Sequence, residues 1–235
     1  MKLALIGYGA MGQLVASKAR AFGAEIGATL TSKDTARGID EVAALLRGHD
    51  AAIDFSVGSA VVTHVEACMR ARVPLVLGTT GWKDHEDDAR RIVQEHAGAL
   101  VYGANFSIGV NVFYRIVEEA AKLFADFDQY EAFIEEQHHS RKLDAPSGTA
   151  LKLKSLMVEH GKAPQSVAST RAGHIPGTHR VGFDSGADQI TLTHMARSRE
   201  GFAGGALLAA GWIQGRKGLF EFSEVIDEIL KGERT

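Results

Sequence analysis

Two hydrophobic periodicities alternate through the first hundred residues. Residues 2–6 (KLALI) form a short apolar run that ends at glycine, the pattern of a buried strand. Over residues 11–21 the apolar side chains Met11, Leu14, Val15 and Ala19 recur at helical spacing. Residues 25–30, 51–55, 74–77 and 99–102 repeat the strand pattern, and 41–46, 60–71 and 84–96 the helical one. This alternation predicts an α/β fold, a doubly wound parallel sheet with helices on both faces.

After residue 105 the pattern changes. Residues 110–124 predict one helix, 130–137 alternate like a half-exposed strand, and 150–160 return to helix. Residues 166–170, 180–185 and 188–196 read as strands separated by turn residues. Together they predict an α+β domain on an open sheet, antiparallel or mixed. Residues 206–214 and 222–230 are helical again. The expected organisation is two domains, one from 1–107 and 206–235 and the other from 108–205.

Charge and composition narrow the partners. A net charge of −3 over 235 residues argues against nucleic acid but leaves room for a local basic pocket. Cys68 is the single cysteine, so no internal disulfide is possible. The first apolar run is too short for a signal segment, and no stretch approaches the roughly 20 apolar residues of a membrane span. A cytoplasmic protein without membrane contact is expected.

The turn after the first strand reads Gly7-Tyr8-Gly9-Ala10-Met11-Gly12, a G-x-G-x-x-G loop placed where a dinucleotide fold needs it. Glycines permit the tight turn, the close approach of pyrophosphate to backbone, and helix–strand packing, while the helix N-terminus offers N–H groups and positive potential. The end of the second strand sets NAD against NADP. Thr31, Ser32 and Lys33 stand there in place of an acid and suit a 2′-phosphate. Asp34 follows slightly late for a ribose contact, so the expectation is NADPH or NADH with NADPH weakly favoured. Gly78-Thr79-Thr80-Gly81 and Ala104-Asn105-Phe106-Ser107 follow later strands, at the end of the sheet where such folds bind cofactors.

The densest chemistry lies in Glu136-Gln137-His138-His139-Ser140-Arg141-Lys142-Leu143-Asp144-Ala145-Pro146-Ser147-Gly148-Thr149-Ala150. Two imidazoles and two cations fall within five residues, and Pro146-Ser147-Gly148-Thr149 opens a helix. Cations beside a helix N-terminus make a pocket for a carboxylate or phosphate. Imidazole and lysine supply protons near neutral pH. Adjacent histidines lack the usual zinc-ligand spacing, so no metal is expected.

This segment closely resembles the H-H-x-x-K-x-D-A-P-S-G-T-A signature of the dihydrodipicolinate reductases. The likeness extends to the N-terminal glycine loop, GTTG at 78–81, ANFSIGVNV at 104–112, RAG at 171–173 and the stretch 190–202. It implies a Rossmann-like cofactor domain, a second domain that builds a homotetramer, and NAD(P)H-dependent reduction of a small cyclic dicarboxylate on the route to diaminopimelate and lysine. It further implies His138 as proton donor and acceptor, Lys142 as proton donor, and His139, Ser147, Gly148 and Thr149 as the hold on the substrate carboxylates. Two departures bear on the cofactor: the glycine loop is one residue shorter than is common in the family, and Thr31-Ser32 replaces an acid–arginine pair. Other two-domain amino-acid or sugar dehydrogenases share the cofactor loop, as would a non-catalytic NAD(P)H sensor. Only residues 138–149 set this chain apart from them.

Overall fold

The computed structural model describes residues 1–232. Strands and helices alternate as β1 (Lys2–Ile6), α1 (Ala10–Ala19), β2 (Glu25–Leu30), α2 (Ser32–Thr35), α3 (Ile39–Leu46), β3 (Ala51–Asp54), α4 (Val61–Ala71), β4 (Leu75–Leu77), α5 (Glu86–Glu95) and β5 (Ala99–Tyr102). There follow α6 (Ile108–Phe124), β6 (Glu131–His138), α7 (Gly148–Glu159), β7 (Ser166–Arg171), β8 (Thr178–Asp184) and β9 (Gln189–Met195). The chain ends in α8 (Glu200–Trp212), β10 (Gly218–Glu221) and α9 (Phe222–Leu230). It divides into two compact units, 1–108 with 199 onward, and 109–198.

The first unit holds a six-stranded sheet in the order β10-β5-β4-β3-β1-β2, every pairing parallel. Strands β1, β3 and β4 are almost wholly buried, as their unbroken apolar runs require when helices cover both faces. The chain first steps from β1 to β2, then crosses to β3 on the other side of β1. That reversal makes the carboxyl ends of β1 and β3 the topological switch point, where open α/β sheets bind ligands.

The second unit is a mixed four-stranded sheet, β7-β6-β8-β9, with β6–β7 parallel and the other pairs antiparallel. Ala132, Ile134, Glu136 and His138 are the buried positions of β6. The first two join Val110, Phe113, Val117, Leu153 and Met157 of α6 and α7 in this unit's core. The alternation of β6 thus carries the sheet into its own hydrophobic layer, and at Glu136 it carries a charge there too.

Three elements differ from the sequence expectation. Helix α8 begins at Glu200, well before residue 206, across a glycine-rich stretch that reads locally as loop. Packing overrides propensity there, because a Cβ on Gly205 would stand 1.8 Å from the Phe106 carbonyl oxygen. Strand β10 is four residues, begins at Gly218 and gives almost no periodic signal. The third is α2, a single turn where the strand end was expected.

Candidate active site

In the first unit the residues of the glycine loop divide into two kinds. Gly7 has φ +88°, and a Cβ there would meet the Phe55 carbonyl oxygen at 2.5 Å, so the turns after β1 and β3 interlock. Gly12 is buried, and its Cβ would stand 2.2 Å from the Gly7 oxygen. Gly9 differs: it is exposed, and no atom lies within 4 Å of the place its Cβ would take. Gly9 is also the cap of α1 and has no side chain to cap with, and the first turn, which includes Ala10 and Met11, contains no acid. This helix end therefore presents bare amides and positive potential to open space. That arrangement fits the pyrophosphate of a dinucleotide. Tyr8 lies exposed beside it.

The neighbouring turns split in the same way. Thr79 is buried and donates its hydroxyl to Asp54 Oδ1 at 2.9 Å. The Ser56 amide also reaches that carboxylate, at 2.8 Å, and His64 Nδ1 approaches Asp54 Oδ2 at 2.7 Å. Thr79 thus secures its turn through its side chain, while Thr80 and Ala104 are exposed. A Cβ on Gly78 would collide with the Phe55 ring at 2.1 Å. Phe106 is core, 4.6 Å from the Phe222 ring, and the Ser107 amide donates to Asn105 Oδ1 at 2.9 Å.

At the end of β2, Thr31 is not free to act alone. Its amide and hydroxyl both donate to Asp34 Oδ2, at 2.9 and 2.8 Å, and the Asp34 carboxyl is held below its usual range by those bonds. Ser32 and Lys33 are exposed on the same turn.

In the second unit, strand register assembles the chemistry. Glu136 lies opposite Ser169 of β7 and opposite His179 of β8, and His138 lies opposite Arg171. The Glu136 Oε1 oxygen accepts from the Ser147 amide at 3.0 Å, Ser169 Oγ at 2.7 Å and Arg171 at 2.6 Å. Oε2 stands 3.1 Å from His138 Nδ1 and 3.7 Å from His179 Nε2. Burial pushes the Glu136 carboxyl up, but these donors outweigh it and hold the group at about 2. Burial, then the neighbouring His138, lowers His179 to about 4 against the pull of Glu136. His138 is likewise lowered by burial, and Glu136 opposes the shift.

Beyond β6 the chain turns through His139 and Lys142, whose ammonium pairs with Asp144 at 2.8 Å. Ser147 is the cap of α7: its hydroxyl accepts from the Ala150 amide at 3.3 Å and meets His179 Nε2 at 3.0 Å. Gly148 and Thr149 open the helix, again with no acid in the first turn and open space above Gly148. The unit therefore brings together His138, Lys142, Ser147, Gly148 and Thr149 as expected neighbours in one stretch. It adds Glu136, Ser169, Arg171 and His179, which sequence reasoning left without a role. One signal was present. Glu136 occupies the inward register of a period-two run that ends at His138. Donor atoms of Glu136, His138 and His179 lie within 4.8 Å of one another, close enough for a metal. Arg171 already neutralises that carboxylate, so the cluster suits protons better than a dication.

Comparison with known proteins agrees across nearly the whole chain. Residues 1–106 match the model described as dihydrodipicolinate reductase, N-terminus, and residues 109–226 the model described as dihydrodipicolinate reductase, C-terminus. The 4-hydroxy-tetrahydrodipicolinate reductase of Christiangramia forsetii is 34% identical over 250 aligned positions, covering 98% of this chain and 100% of its own. That of Neisseria gonorrhoeae is 33% identical, covering 92% of this chain and 86% of its own. Among solved structures, a dipicolinate-bound dihydrodipicolinate reductase from Paenisporosarcina sp. TG-14 superposes with a TM-score of 0.77 at 19% identity, over 96% of this chain and 99% of that one. A myo-inositol dehydrogenase from Corynebacterium glutamicum reaches 0.58 at 12% identity, over 98% and 96%, a likeness of fold alone. The chain belongs to the dihydrodipicolinate reductase family.

Proposed function

We propose that this chain reduces 4-hydroxy-tetrahydrodipicolinate to tetrahydrodipicolinate, with loss of water, on the route to diaminopimelate and lysine. The observation that carries the reading is that the second unit sets two proton donors, His138 and Lys142, on the segment leading into α7, a helix with no acid in its first turn and open space above Gly148. The dipicolinate held by the Paenisporosarcina relative is a planar dicarboxylate of the same class.

When bound, the reduced nicotinamide supplies the hydride. Gly9, Ala10 and Met11 hold its pyrophosphate on the amides of α1, and Gly12 keeps the helix close against the turn. The turns Gly78–Thr80 and Ala104–Ser107 line the cofactor at the carboxyl end of the sheet. Ser32 and Lys33 favour NADPH weakly, because Thr31 is spent on Asp34 and a carboxylate stands nearby.

The dicarboxylate is held by the Gly148 and Thr149 amides, the Ser147 cap and His139. Loss of the ring hydroxyl as water leaves a conjugated C=C–C=N system. Hydride addition at the far carbon moves an electron pair toward the ring nitrogen, and His138 or Lys142 supplies the proton that balances it. The net change is one hydride and one proton gained and one water lost.

A homotetramer built on the second unit's sheet follows the family pattern. Strand β9 lies largely exposed along an open edge, the kind of surface assembly covers. Sedimentation should show four chains, and a monomer at micromolar concentration contradicts it. Among the described residues no helix is long and apolar enough to cross a membrane, and a cytoplasmic location suits a soluble intermediate. The direct assay is oxidation of NADPH by the condensation product of pyruvate and aspartate semialdehyde. Absence of turnover with either cofactor refutes the reading.

A further inference from the structure

We propose that Glu136 is a positioning residue that fixes which nitrogen of His138 exchanges protons with substrate. The inference rests on the reductase reading for the identity of the substrate, but not for its geometry.

Glu136 is fully buried at its side chain, and one oxygen of it is saturated. Three donors from two different segments converge on Oε1, namely the Ser147 amide at the start of α7 and Ser169 and Arg171 of β7. Those contacts alone would explain a carboxylate that ties β6, β7 and the start of α7 together. They leave Oε2 over. That atom has no hydrogen-bond partner among the described residues, and it stands 3.1 Å from His138 Nδ1, which is equally buried and equally unpartnered. Two orphaned atoms of complementary kind at that separation need only a small turn of the imidazole to form a charge-assisted bond.

The direction of the bond is dictated by chemistry. An ionised carboxylate only accepts, so Nδ1 must carry hydrogen. Nε2 then becomes the nitrogen that gains and loses a proton. It lies on the side of Gly177, where an added Cβ would stand 3.1 Å from it, so the absence of a side chain keeps that approach clear.

Every charged or titratable group around the pair supports the same assignment. From β7, Arg171 keeps Glu136 ionised. From β8, His179 is lowered to about 4 and stays neutral, its Nε2 meeting Ser147 Oγ at 3.0 Å. His194 of β9 lies in register beyond His179 and is lowered by burial. From the loop after β6, Lys142 lowers His138 and is offset by Asp144. Glu136 is thus the largest influence that favours the protonated form of His138. One carboxylate serves two histidines differently: it orients His138 for proton exchange, while His179 remains neutral and steadies the cap of α7.

Two measurements test this. In the unliganded wild type, long-range proton–nitrogen NMR of the imidazoles should show neutral His138 as the Nδ1–H tautomer, and a predominant Nε2–H tautomer overturns the proposal. In Glu136→Gln, kcat/KM for the dicarboxylate should fall about tenfold or more, with the His138 limb of its pH profile moved to lower pH and the nucleotide Kd unchanged. An unshifted limb in a folded, less active variant would mean a purely structural Glu136. The NMR result requires no substrate. Wild-type protein without reductase turnover would therefore sink the functional reading while leaving the tautomer to be judged by itself.

Discussion

Adding one methyl group at Gly9 or at Gly12 should produce opposite failures. At Gly12 the new Cβ would stand 2.2 Å from the Gly7 carbonyl oxygen and 3.1 Å from its carbon. Real contacts of this kind lie about 1 Å further out, and backbone rather than a flexible side-chain tip must move. Overpacking costs typically about 1–3 kcal/mol, and backbone displacement puts this site at the upper end. For a chain of this size that corresponds to a fall in Tm of roughly 6–12 °C. At Gly9 no atom lies within 4 Å, and φ −75° with ψ −164° is open to any residue. Gly9→Ala should cost only about 0.5 kcal/mol of cap preference. Its methyl instead enters the open space that the proposed function gives to pyrophosphate. Loss of one charge-assisted amide contact, about 1.5–3 kcal/mol, weakens nucleotide binding by roughly 10–100-fold. Differential scanning fluorimetry without ligand and calorimetric titration with NADPH separate the two effects. A Gly9→Ala variant with a nucleotide Kd within twofold of wild type would show that this helix end is not the phosphate bed. A Gly12→Ala variant with unchanged Tm would show that the close approach of Gly7 and Gly12 is not rigid.

Other outcomes follow from the same geometry. Lys142→Ala should lose about 10²–10⁴-fold in kcat, and a value within threefold of wild type removes Lys142 from the chemistry. Gly148→Val has room in the fold and should raise KM for the dicarboxylate while leaving KM for the nucleotide, whereas equal effects on both would make the segment structural. Lys33→Ala should reduce kcat/KM with NADPH up to about tenfold and spare NADH; equal efficiencies before and after deny Lys33 a role at the 2′-phosphate. Stability should fall on acidification from about pH 6.5. His179 has a folded pKa of about 4 against 6.5 unfolded, so the unfolded chain binds the extra proton between those values, at a cost of roughly 3 kcal/mol when complete. Glu136, at about 2 against 4.5, continues the loss from pH 4.5 downward. Urea midpoints that stay flat between pH 6.5 and 4 would contradict a buried neutral His179.

The parallel sheet was legible because each of its central strands is buried on both faces and reads as an unbroken apolar run. The mixed sheet was legible from the alternation of β6. What escaped was whatever depends on strand register. Ser169, Arg171 and His179 lie 33 to 43 residues from Glu136 in the chain, and nothing local says that β7 runs parallel to β6 while β8 runs against it. The first turns of helix α8 escaped for a related reason, since Gly205 is required by the close passage of the Phe106 backbone rather than by local conformation. At Thr31 the sequence showed a hydroxyl where a phosphate contact was expected, but not that Asp34 would take it.

Under the proposed function the two helix ends meet anions with different residues, and the shapes of the two ligands account for the difference. Both α1 and α7 begin without an acid in the first turn, though at α7 the Glu136 carboxylate accepts from the Ser147 amide at 3.0 Å, so only α1 leaves its positive end bare. A pyrophosphate is bulky and must be met by backbone from several directions, so the cap of α1 is a glycine with empty space above it. A carboxylate is flat and small, and it is satisfied by two or three donors. The cap of α7 can therefore retain a side chain, and Ser147 uses it twice, accepting from the Ala150 amide and meeting His179. The Ser147 amide in turn donates to Glu136, the carboxylate beside His138. Under the proposed function, the group that holds the substrate and the group that orients the proton carrier are linked by one residue. A shift of the α7 cap would then disturb binding and proton transfer together, while the glycine bed of α1 could vary without touching either.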